Sequence, residues 1–221
     1  MTTQTAVLTP APAFNTEHPV LKAFRRFTPA EGWLTFVILM GTLLVITGTV
    51  TDAAWADTPS LAGIVLASAL MGLVVAKVPG NPIGWHLAAI VLGAGFVYWQ
   101  MSTVTEATGF FEQFLSLNNR LNQWGEAASE GGISTDTIPF ALMLASFAWL
   151  IGYTAAWATF RKHNLWLAVL PGGIAMFSHL SYLPDEFGLQ MFLYLLFAML
   201  LAVRIHALNQ ATEWQRIGFV F

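Results

Sequence analysis

The chain reads as an all-α integral membrane protein with six transmembrane helices and both termini cytoplasmic. Three observations carry that reading. Of 221 residues, 56% are hydrophobic and only 10% charged, whereas a soluble domain carries about 25% charged residues to cover its water-facing surface. Six charge-free apolar runs follow one another, each close to the length that crosses a ~30 Å hydrocarbon core at about 1.5 Å per residue. The basic residues fall on alternate connections between those runs, the pattern that retention of positive charge on the cytoplasmic side produces.

Residues 1–30 form a cytoplasmic tail carrying Pro10, Pro12 and Pro19. Within it Val20, Leu21, Phe24 and Phe27 recur at near-helical spacing around Lys22, Arg25 and Arg26. That pattern suits a short basic amphipathic segment on anionic headgroups, or a solvated lead-in to the first span. Residues 31–207 form the membrane domain. Its spans are expected near Trp33–Val50, Leu61–Ala76, Gly84–Met101, Ile138–Phe160, Leu165–Leu183 and Phe187–Val203, the second and sixth being short. Residues 208–221 form a cytoplasmic C-terminal segment. The basic lead-in and Ala54-Trp55-Ala56 mimic a signal peptide with its cleavage site, but the apolar core exceeds the roughly 7–15 residues of such signals.

Orientation follows from the cations. Lys22, Arg25 and Arg26, Lys77, Arg161 and Lys162, and Arg204 and Arg216 share one side, and Arg120 alone falls on the other. Trp33, Trp85 and Trp166 open spans on the inner side, and Trp55 and Trp99 lie at outer ends, the belt that amphipathic rings form at headgroup depth. Gly63 with Ala67, and Ser68 with Gly72, repeat small residues four apart, a spacing that lets helix backbones approach closely.

The outer loop 102–137 holds an extracytoplasmic amphipathic helix. Phe110, Phe111, Phe114, Leu117, Leu121 and Trp124 follow a helical stripe, with Glu112, Gln113, Asn118, Asn119, Asn122 and Gln123 opposite. Phe110, Phe114, Leu117, Leu121 and Trp124 are the candidate contacts for an extracytoplasmic domain or another membrane protein. The plainer alternative is an interfacial helix that closes a long loop.

The fifth run, Asn164–Pro184, is interrupted by Pro171-Gly172-Gly173 and carries His179. A helix breaker and a titratable ring both need shelter from lipid, so this span is expected to face protein. Ser178, His179, Ser181, Tyr182 and Asp185 invite a relay reading. Ser178, however, adjoins His179 and points elsewhere on a helix, and no catalytic residue is assigned. The Gly-x-Ser-Gly context of rhomboid proteases has no counterpart: Gly132-Ile133-Ser134 is followed by Thr135, in a loop. No acid or lysine lies deep in a span to couple transport. There is no cysteine, and His18, His86, His163, His179 and His206 are scattered, so neither a metal site nor a cofactor is implied. Nine basic residues spread over separate segments leave no nucleic-acid footprint. The lipid bilayer is the one partner that composition alone implies.

Several stretches resemble a known family. Glu31-Gly32-Trp33-Leu34, Gly152-Tyr153 to Trp157 with Phe160-Arg161, Trp166 to Pro171-Gly172-Gly173, Leu180-Ser181-Tyr182-Leu183-Pro184 and Glu213-Trp214-Gln215-Arg216 resemble the N-terminal multi-span region of bacterial transglutaminase-like membrane proteins. The likeness covers all six spans and is clearest over residues 140–216. It makes Pro171, Gly172, Gly173, His179, Tyr182 and Pro184 family-motif and packing residues. It also implies a plasma-membrane location and an extracytoplasmic domain with a Cys–His–Asp set, which a chain without cysteine cannot supply. The expected function is therefore a non-catalytic anchor or scaffold module of a cell-envelope protein. A small transporter or lipid-handling protein using the broken fifth span is the alternative, as is a structural subunit of a larger membrane complex.

Overall fold

Two of the apolar runs begin their helices at a residue whose side chain caps the first turn. The computed structural model describes residues 31–132, 135–182 and 188–217, and among these it contains seven α-helices and no strand. Helix α1 is Trp33–Asp52, α2 Leu61–Lys77, α3 Pro82–Ser102, α4 Phe110–Ser129, α5 Ile138–Trp157, α6 Leu165–Tyr182 and α7 Gly188–Ile217. Ser60 caps α2 by accepting from the Gly63 amide, and Asn81 caps α3 by accepting from Ile83, with Pro82 in the first turn. Asp136 accepts from the Ile138 amide at 2.9 Å to open α5. The tail 1–30, with its basic amphipathic segment, lies outside the described residues, as do Pro184, Asp185 and Glu186.

Polar side chains on α1 are made compatible with an apolar surround by their own helix. Thr35, Thr42, Thr47, Thr49 and Thr51 each donate to a carbonyl three or four residues back, so no threonine hydroxyl of α1 is left unsatisfied. Between α5 and α6 the chain widens into a π-helical turn, Ala158–Lys162. His163 ends it with φ 48°, and the Asn164 amide donates back to the Ala158 carbonyl at 3.1 Å.

The most extensive contact in the bundle is between α2 and α5. Ser68 and Gly72 of α2 meet Gly152, Tyr153 and Ala156 of α5: a Cβ added at Gly72 would strike the Tyr153 carbonyl and the Ala156 methyl. The Ser68–Gly72 spacing thus serves close helix approach. Gly63 has only Ser60 and Gln100 near it and takes no part. Helix α1 packs against α2, α6 and α7, α3 against α2 and α5, and α4 against α3 and α5.

Helices α1, α3, α5 with its π turn, and α7 are long and apolar enough to cross a membrane. Half of the most apolar stretch of α1 is buried, against 17% of that of α3 and of α7. Those outer helices expose Leu87, Val91, Phe192, Met199 and Val203 among others, a surface that only hydrocarbon suits. This is a membrane protein.

Two expectations are corrected. The fifth run is not broken, because α6 stays helical from Leu165 to Tyr182 with Pro171 inside it. The Tyr194 hydroxyl of α7 donates to the Val169 carbonyl at 2.7 Å, two residues before the proline, which ties α6 to a neighbouring helix beside the proline; the carbonyl that Pro171 leaves without an amide donor is that of Leu167. The sixth run is not short either: its candidate span is Gly188–Ala211, within a helix α7 of 30 residues that runs to Ile217. Its segment beyond Val203 holds two each of Ala, Gln and Arg, all good helix formers. The shorter apolar helices are α2 and the Leu165–Ser178 part of α6.

Candidate functional site

At one end of the bundle, called the basic end below, the start of α1, the end of α2, the π turn and α7 converge on Glu31. Its side chain is only 6% exposed, with Lys77 Nζ 2.8 and 2.6 Å from the two carboxylate oxygens and His163 Nε2 3.0 Å from Oε1. The Glu31 carbonyl accepts from Thr35 Oγ1 at 2.7 Å and from Arg204 Nη2 at 3.0 Å, and Arg204 Nε donates to Thr35 Oγ1 at 3.3 Å. Arg161 Nη1 donates to the Ala76 carbonyl at 3.2 Å. Burial pushes the Glu31 carboxyl up, but hydrogen bonds from Lys77 and then His163 outweigh it and hold the group below its ordinary range. The donors here engage acceptors of the chain itself, so the cluster's chemistry is that of a clamp joining four elements distant in sequence.

Sequence reasoning missed this clamp. Glu31 was legible only as part of a motif. The available signal was that Glu31 is an acid placed at the same membrane depth as Lys77, Arg161 and Arg204.

The residues singled out in the fifth run separate. Gly172 and Gly173 are buried, and a Cβ at either would meet Ile46 of α1 or the Tyr194 hydroxyl of α7 respectively. They let α6 sit close to both neighbours. His179 and Tyr182 lie within α6, but their side chains fall outside the described residues. Pro171 lines a crevice of about 540 Å³ bounded by α1, α2, α5 and α6 at the end opposite the clamp.

At that opposite, capped end, α4 lies against the bundle. Leu117 is buried, Phe114 is half-buried and stacks on Tyr98 at 5.6 Å, and Leu121 is half-buried, whereas Phe110 and Trp124 are exposed. The five candidate contacts therefore divide: three pack on the chain itself, and two remain on the surface beside Phe111 and Leu115. Arg120 makes two hydrogen bonds to Asp136, at 2.8 and 2.6 Å. The bond from Arg120 depresses the Asp136 carboxyl more than burial raises it. Because Asp136 also caps α5, this pair fixes α4 to the start of α5.

Elsewhere, the His86 ring bonds the Tyr153 hydroxyl and meets Trp157 edge-on at 5.1 Å. Among the described residues no three His, Asp or Glu side chains gather in a way that could hold a metal ion. Comparison with family models, curated proteins and solved structures finds no match.

Proposed function

We propose that this chain is a six-span plasma-membrane module, both termini cytoplasmic, that anchors and positions a transglutaminase-like extracytoplasmic partner and performs no chemistry itself. The observation that carries the reading is the fixed outer helix. Helix α4 is held by Leu117 and the Arg120–Asp136 pair, and turns Phe110, Phe111, Leu115 and Trp124 away from the bundle. Aromatic side chains on a rigid element are the composition of an interface core.

The connectivity supports six crossings. Helices α1 and α3 both run from the basic end to the capped end, so α2 returns the chain between them. Helix α7 brings Arg204 to the basic end and α6 leaves that end at Leu165, so α6 crosses as well. At about 1.5 Å per residue the 17 residues of α2 span roughly 25 Å, which flanking polar residues can extend. Arg120, the one cation outside the cytoplasmic set, is neutralised by Asp136.

Reporter fusions test the topology: fusion after Ala127 reads extracytoplasmic and fusion after Lys162 cytoplasmic, and the reverse result defeats the orientation. Photo-crosslinking residues placed at Phe111 and Trp124 test the anchor. Adducts with a transglutaminase-like envelope domain are expected, and adducts with lipid alone would reduce α4 to an interfacial helix.

A further inference from the structure

The crevice at the capped end is lined almost entirely by apolar side chains and opens toward the membrane. Its deep wall is Ile46 and Val50 of α1 with Val65 of α2, and Phe140, Met143 and Phe147 of α5 face Ile174 of α6 across it. Two hydroxyls reach the lining, and both donate to their own helix: Thr47 to the Leu43 and Leu44 carbonyls, Ser178 to the Ile174 carbonyl. No charged side chain lines it. An ion or polar metabolite would lose its hydration there without replacement, so the occupant is hydrocarbon. The volume lies within the roughly 300–1,000 Å³ of small-molecule sites.

The packing of α5 and α6 explains why the space exists. Helix α5 is drawn onto α2 at Gly152, beyond the cavity, while Gly172 and Gly173 draw α6 onto α1 and α7. The two helices touch each other directly and are also joined through the π turn at the basic end. Only the capped-end portions of α5 and α6 line the opening, so the pair forms a wedge. Met143, Phe147 and Ile174 are each both lining and exposed, Ile174 by 66%. The doorway therefore opens sideways, at a depth where the surrounding solvent is lipid. Trp55 and Phe140, whose rings approach to 6.4 Å, mark its capped-end rim, and an indole at that level suits headgroup depth.

We infer that this wedge is a lipid site that takes one acyl chain of a bilayer phospholipid through the α5–α6 doorway, its headgroup resting at the level of Trp55. The site is independent of the outer-face partner. A phospholipid bearing a diazirine midway along one acyl chain tests it, with the full chain reconstituted in phosphatidylethanolamine and phosphatidylglycerol nanodiscs. Irradiation followed by peptide mapping should place adducts on the wall residues Ile46–Val50 as well as on the doorway, in excess of those at exposed Val91 of α3. Met143→Trp narrows the doorway at a surface position and should abolish the wall adducts while sparing those at Val91. Ala148→Phe, which fills the interior, should do the same if it folds. Labelling confined to exposed positions, or wall labelling unchanged in Met143→Trp, overturns the site. Wall adducts displaced by unlabelled polyprenyl phosphate but not by unlabelled phospholipid overturn the acyl assignment in favour of an isoprenoid chain.

Discussion

At the basic end, one residue draws four chain segments together: the Glu31 carboxylate holds Lys77 and His163, and its main-chain carbonyl holds Arg204. At the capped end the same helices stand apart around an apolar wedge, and a polar pair holds only a surface helix. The contrast follows from where charge can be solvated. Glu31 lies at the level where α1 begins, within reach of Lys77 at the end of α2 and His163 after the π turn, which both bond its carboxylate. The wall of the wedge has no group to complete, and shape alone sets its spacing. A clamped end and an open end are what a module needs if it must stay folded while lipid exchanges within it.

The contrast is most severely tested at Glu31. Glu31→Ala leaves the Lys77 ammonium without its carboxylate in a part-buried site, and should cost about 3 kcal/mol, the low end for breaking a buried pair because Lys77 can still reach water. Thermal unfolding in detergent reads it, and a midpoint unchanged from the parent would show that the clamp is decorative. Glu31→Gln keeps an acceptor and should fall between the two.

Next in size is the α2–α5 contact. Gly72→Ala sets a methyl against the Tyr153 carbonyl and the Ala156 methyl, neither the end of a flexible side chain, and should cost about 1–3 kcal/mol as overpacking does. Gly84, in α3, has open space around it. There the same substitution should be neutral or stabilise by up to about 1 kcal/mol. Equal effects at the two positions would mean that close approach does not limit the bundle.

A smaller effect is expected in acid. The Glu31 carboxyl is depressed below 4.5 in the folded chain, so its contribution is complete above that value and is lost as pH falls through the folded pKa. The unfolding midpoint of the parent should therefore drop below about pH 4.5 more steeply than that of Glu31→Gln. Parallel curves would exclude Glu31 as the group responsible.

How legible these features were depends on the distance over which the cause acts. Two helix starts were nearly readable because the signal is local: the expected spans open at Leu61 and Gly84, at or within two residues of Leu61 and Pro82, where the helices begin. The helical stripe from Phe110 to Trp124 is equally local, and α4 spans it. Pro171 misled, because a neighbouring helix is tied to α6 beside it by Tyr194, 25 residues from the carbonyl it bonds. The clamp was hidden for the same reason, its members lying 46, 132 and 173 positions from Glu31. The wedge has no residue signature at all, since it is a gap left where glycines elsewhere pull its walls onto other helices.

The smallest effect should come from the Arg120–Asp136 pair, and its form matters more than its size. Arg120 is more than one-third exposed, so solvent screening limits the pair to about 1 kcal/mol or less. The pair joins the surface helix α4 to the start of α5, so Arg120→Ala should leave the global unfolding midpoint almost unmoved. It should instead raise amide exchange across Phe110–Ser129, a local opening. Asp136→Ala should raise exchange further at the first turn of α5, because the Ile138 amide loses its acceptor too. The parent should resemble Arg120→Ala as pH falls through the depressed Asp136 pKa, which lies below 3.8. If exchange in α4 stays at its parental level in both variants, Leu117 and the stacked Phe114 hold the helix by apolar contact alone, and the capped end is fixed by packing as the wedge beside it is.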